Sequence, residues 1–117
     1  MSLLRPAIWL TPLNRVEFAH AAFLHVFRKR ATVIEAENAI KNFEEDCALG
    51  VWRLVDLPDG TFARSIELAR EFGPTLGVRI LDSLHVACAL GLKAERFWTF
   101  DARQARLAEA VGLDTGS

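Results

Sequence analysis

The sequence predicts an α/β fold: a small parallel sheet in a three-layer α/β/α arrangement. Three observations carry this. Short apolar runs of strand type occur at residues 7–10, 51–55 and 97–100. Stretches with apolar residues at helical spacing separate them. Capping or breaking residues mark most of the boundaries. Strands alternating with helices have both faces covered and pair in parallel. At 117 residues the chain is expected to form one domain, 1–117, with a modest core.

Each element follows in order. Ala7-Ile8-Trp9-Leu10 is an apolar strand stopped by Thr11-Pro12. Thr11 can cap the next helix, with Pro12 at the first helical position, where a missing N–H costs nothing. That helix runs to about Arg30, with Val16, His20, Phe23 and Phe27 as its inward stripe. The triplet Arg28-Lys29-Arg30 suits its C-terminal dipole. Thr32 and Glu35 form a capping-box pattern for a second helix reaching about Leu49 and closed by Gly50. Its expected inner face is Ile34, Ala39, Phe43 and Cys47. Residues 51–55 form a strand ending at Asp56-Leu57-Pro58. Asp59-Gly60-Thr61 caps a third helix, Phe62 to Phe72, with Ile66 and Ala69 or Arg70 inward and Gly73-Pro74 as its break. A loop, residues 75–79, leads into the helix that carries Asp82 and ends at Gly91. Residues 97–100 form the last strand, and Ala102 to Val111 the last helix.

Composition excludes several classes. Half the residues are apolar and a quarter charged, as in ordinary globular proteins. No segment reaches the roughly eighteen uncharged apolar residues of a membrane span, and the N-terminus lacks a secretory signal pattern. A cytoplasmic protein without membrane contact is expected. The two cysteines, Cys47 and Cys88, have no metal-type spacing and read as reduced, semi-buried thiols. The three histidines, His20, His25 and His85, are too scattered for a zinc site. Trp9, Trp52 and Trp98 lie in strand-like runs and read as core. There is no phosphate loop, nucleophile elbow or His-Glu-x-x-His pattern. A net charge of −1 gives no global attraction to nucleic acid, but arginines gather near the candidate acids.

Two of those acids stand out. Asp82 begins an apolar helix, where a cap is wanted whatever the function. Asp101 ends an apolar strand; it can cap the following helix and carry a second role. If that strand and the Asp82 helix pack side by side, both carboxylates face one pocket. Converging hard oxygen ligands suit Mg²⁺ or Mn²⁺. Thr99 shares a strand side with Asp101, so its hydroxyl is expected to steady the carboxylate or a bound water. Arg79 and Arg103 flank the aspartates and can neutralise them or meet a phosphate. His85, one helical turn from Asp82, is open to reading as a general base or as a packed or hydrogen-bonding histidine.

Three segments resemble the C-terminal half of PIN domains, above all VapC-type toxins of toxin–antitoxin pairs: residues 79–87 (RILDSLHVA), residues 96–101 (RFWTFD), and the helix ending in Ala110-Val111-Gly112-Leu113. The likeness continues upstream with lower specificity, where residues 10–21 lead a strand into a helix carrying Glu17. It implies a small α/β ribonuclease that hydrolyses RNA phosphodiesters with Mg²⁺ or Mn²⁺ held by acidic side chains. By that resemblance Glu17, Asp82 and Asp101 are the catalytic metal ligands, with Thr99, Arg79 and Arg103 in support. Glu17, bordered by Leu13, Ala21 and Leu24, has pairing with Arg15 or a neighbour as its structural alternative. RNA, an antitoxin protein and a homodimer are the implied partners.

One departure accompanies the match. The family opens with an apolar strand ending in Asp, then a helix. Here only Met1-Ser2-Leu3-Leu4-Arg5 precede the first strand, and the first Asp is Asp46. The expectation is a PIN-like domain truncated at its N-terminus, with metal affinity weakened. The alternatives are a catalytically inactive remnant serving as a dimerising or partner-binding module, and a start codon that lies upstream.

Overall fold

The computed structural model describes residues 8–94, 96–97, 99 and 101–115. The chain divides into two compact units, Met1–Asp56 and Leu57–Ser117. It is mostly helical, with one small parallel sheet, as an α/β reading requires.

The first unit contains strand β1 (Ile8–Leu10), helices α1 (Pro12–Phe27) and α2 (Val33–Ala48), and strand β2 (Trp52–Leu54). The strands are parallel, with Ile8 opposite Trp52, Trp9 opposite Arg53 and Leu10 opposite Leu54. Both helix starts obey the expected capping chemistry. Thr11 Oγ1 accepts from Leu13 N–H, and Asn14 Oδ1 accepts from Thr11 N–H at 2.8 Å. Thr32 and Glu35 exchange bonds of 2.9 and 3.1 Å. The rings of Phe18 and Phe43 stack at 4.4 Å, and Arg15 grips both oxygens of Glu44 at 2.7 and 2.8 Å. Arg15 therefore pairs with Glu44 on α2.

The inward faces differ from expectation. Val16, His20, Phe23 and Phe27 are exposed, Phe27 by 82%. Apolar residues occur all round α1, so no stripe is uniquely marked, and the helix meets α2 through Phe18 instead. On α2, Ile34 is also exposed and Ala36 is buried. The half-buried Ala39, Phe43 and Cys47 continue that line at helical spacing. Trp9 is exposed with the Arg53 guanidinium 5.8 Å from its ring centre, so it is not a core residue; Trp52 is half-buried. Trp98 lies outside the described residues.

The second unit holds α3 (Thr61–Leu76), α4 (Ile80–Gly91) and α5 (Ala102–Ala110). Its core is Leu68, Val86, Ala87, Ala89, Phe97, Leu107 and Ala108. Helix α3 does not break at Gly73-Pro74. Without a Cβ on Gly73 the residue before proline is free to stay helical, and the helix ends where Gly77 turns left-handed at φ +63°. The inner face of α3 is Thr61, Ser65 and Leu68; Ile66, Ala69 and Arg70 are exposed. The buried hydroxyls are satisfied: Thr61 donates to Pro58 O at 2.7 Å, and Ser65 bonds Ser83 at 2.7 Å. The strand expected at residues 97–100 is, among the described residues, an isolated parallel bridge between Arg96 and Asp114, with Phe97 N–H donating to Asp114 O at 2.8 Å. Phe100, like Trp98, lies outside the described residues. No described helix is long and apolar enough to cross a membrane.

Candidate metal centre

Asp82 occupies the third position of α4. Its Oδ2 accepts the Arg79 N–H at 3.0 Å, one of the orphan donors at the helix start. The expected capping role is therefore filled. The residue is nevertheless only 4% exposed, and its other oxygen, Oδ1, accepts from Gln104 Nε2 at 3.4 Å. Both donors are neutral. Among the described residues no Lys, Arg or His is ion-paired to Asp82. A buried carboxyl held only by neutral donors still has its oxygens open to a cation.

Asp101 is the N-cap of α5. Its Oδ1 accepts from Arg103 N–H at 2.9 Å and Gln104 N–H at 3.3 Å. The residue is exposed, and its Oδ2 has no hydrogen bond among the described residues. Thr99 does steady Asp101, by a different route from the one expected. Its Oγ1 accepts the Asp101 backbone N–H at 3.0 Å rather than bonding the carboxylate. Arg103 contributes its backbone N–H to Asp101, and Arg79 its backbone N–H to Asp82. The guanidinium of Arg79, an exposed residue, makes no ion pair among the described residues. His85 is buried on α4, as a packed histidine should be.

Gln104 is the residue that sequence reasoning passed over. Its backbone N–H touches Asp101 and its side-chain amide touches Asp82. The sequence Asp101-Ala102-Arg103-Gln104 reads as a capping box, in which the glutamine would reach back to the N-cap N–H. Thr99 already takes that N–H, which leaves the glutamine amide for Asp82. The signal was present, since Thr99 and Gln104 compete for one donor.

Glu17 is half-buried on α1, in the first unit; Asp82 and Asp101 belong to the second. Among the described residues no three of His, Cys, Asp and Glu gather in metal-binding proximity. The donor chemistry of the aspartate pair still fits a hard divalent ion. A carboxylate oxygen has two lone pairs, so each Asp82 oxygen keeps one after its single N–H bond, and Asp101 Oδ2 keeps both. Mg²⁺ is commonly held by one or two carboxylates, with waters filling the rest of its shell.

Neither a curated relative nor a solved structure matches the chain. The family model for the PIN domain matches residues 2–110. PIN domains are generally nucleases that use divalent metal ions. With a match that spans almost the whole sequence, this chain belongs to the PIN domain family.

Proposed function

We propose that the chain is a VapC-type endoribonuclease that hydrolyses RNA phosphodiesters, with Glu17, Asp82 and Asp101 as ligands of Mg²⁺ or Mn²⁺. The observation that carries the reading is Asp82: a carboxylate 4% exposed, held by an amide on each oxygen and by no paired cation among the described residues. Bound by these carboxylates, a divalent ion would lower the pKa of the attacking water and neutralise the leaving oxygen.

The remaining work falls to the chain's own side chains. Asp82 and Asp101 would hold the ion, each anchored by backbone N–H groups at a helix start. Glu17 would be the third ligand by the family likeness. Arg79 and Arg103 would take the non-bridging phosphate oxygens, where a planar guanidinium offers paired donors. RNA contact then depends on salt, because arginines displace counterions from the phosphate backbone. A homodimer and an antitoxin partner belong to the same proposal.

Calorimetric titration with Mn²⁺ tests the reading, with Asp82→Asn/Asp101→Asn as control. Binding by the wild-type chain that the double variant loses, together with Mn²⁺-dependent cleavage of single-stranded RNA, is the expected result. A folded wild-type chain that takes up no Mn²⁺ would overturn it.

A further inference from the structure

We infer that Gln104 is a positioning residue that sets the spacing of Asp82 and Asp101 for the cation. The inference rests on the metal-site reading above and adds a role for a side chain which that reading does not use.

The third helical residue of α1 is Asn14, of α2 Glu35 and of α4 Asp82; each bonds back to the N–H of its own cap, at 2.8, 2.9 and 3.0 Å. Gln104 holds the same position in α5 and does not bond back. The Asp101 N–H goes to Thr99 Oγ1 instead, and the Gln104 amide crosses to Oδ1 of Asp82 on another helix. One residue thus holds both acids: Asp101 through its backbone and Asp82 through its side chain. Gln104 is half-buried, so the contact is partly shielded from water.

The chemistry of an amide suits this task. A neutral donor orients a carboxylate without neutralising it, whereas Lys or Arg in its place would compete with the metal for the charge. The bond occupies one lone pair of Oδ1 and leaves the other for a ligand. At 3.4 Å it lies at the long end of the hydrogen-bond range.

Two measurements on the full chain test the role. The first is Mn²⁺ affinity by calorimetry for wild type, Gln104→Leu, the exposed same-helix control Arg106→Leu, and Asp82→Asn/Asp101→Asn. The expected result is a loss of about 10- to 100-fold for Gln104→Leu, the range for removing a residue that orients a metal ligand. Arg106→Leu is expected to bind as wild type, and the melting temperatures of the two leucine variants should agree. The second is the side-chain amide signal of Gln104 in the metal-free protein, which should move when Asp82→Asn is introduced. If wild type binds Mn²⁺ and Gln104→Leu binds it equally well, the positioning role is wrong and the metal site stands. If wild type and the double aspartate variant both fail to bind, the metal reading is wrong and the role of Gln104 falls with it. An amide signal indifferent to Asp82→Asn would also overturn the inference.

Discussion

Asp101 does two jobs that substitution separates. Asp101→Ala removes the oxygen that accepts the Arg103 and Gln104 N–H groups and should cost about 1 kcal/mol of stability in a denaturant titration. Asp101→Asn keeps a capping oxygen and should melt close to wild type, while Mn²⁺ binding falls in both. Equal loss of stability in the two variants would mean that the charge, and not the cap, supports the helix. Cys88 gives the pH dependence at this scale. Burial pushes its thiol above the ordinary 9.0, and the nearby Thr61 hydroxyl opposes the shift. Below pH 9.0 folded and unfolded thiols are both protonated, and this contribution to stability is complete. As the pH rises further the unfolded chain ionises first, binds fewer protons than the folded one, and the contribution is lost. A thiol reagent at pH 8 should therefore modify the half-buried Cys47 readily and Cys88 only on unfolding. The aspartates were legible in the sequence because each stands where an apolar element meets a helix start. Gln104 was not, because a glutamine three residues after an N-cap already has an ordinary explanation.

At the scale of the element, Gly91 separates intrinsic propensity from packing. Replacing a helical glycine with alanine usually stabilises by up to about 1 kcal/mol. A Cβ on Gly91 would lie 2.8 Å from Pro58 Cβ and 2.9 Å from its Cγ, and a proline ring has no rotamer with which to withdraw. Gly91→Ala should therefore destabilise by about 1–3 kcal/mol, as overpacked sites do, in a thermal or urea melt. A gain in stability would show that Pro58 yields. The same contrast explains what the sequence revealed about the elements. Helix starts were legible because capping is local: Thr11 with Pro12, and Thr32 with Glu35, carry their own evidence. Inward faces were less so. On α3 the buried residues include Thr61 and Ser65, whose hydroxyls are satisfied by Pro58 O and Ser83, so equating inward with apolar pointed to Ile66 instead. The Arg96 bridge depends on its partner Asp114, a pairing along the chain that periodicity does not encode.

Across the whole molecule, burial is uneven, and this predicts how the chain opens. Among the described residues the first unit buries only Thr11 and Ala36, while Trp9, Val16, Leu24, Phe27 and Ile34 stand exposed in it. The second unit buries Leu68, Val86 and Leu107 completely. Stability follows apolar area removed from water, so the two units should not resist opening equally. Amide exchange in the metal-free chain should be slowest in α4 and around Leu107, and faster along α1 and α2 by local opening that leaves the second unit intact. Leu68→Ala, which empties a fully buried site, should cost about 2–5 kcal/mol and speed exchange throughout α3, α4 and α5. It should leave α1 and α2 exchanging nearly as before, since their opening does not wait for the second core. Uniform protection in both units, lost together in Leu68→Ala, would refute this and make the chain one cooperative block. The first outcome bears directly on the proposed chemistry. The aspartate pair sits in the better-buried unit, where α4 and α5 are tied by a shared core, and Glu17 sits in the one that opens more easily. Saturating Mn²⁺ should then slow exchange at the starts of α4 and α5, where opening would release the ion from the aspartate pair.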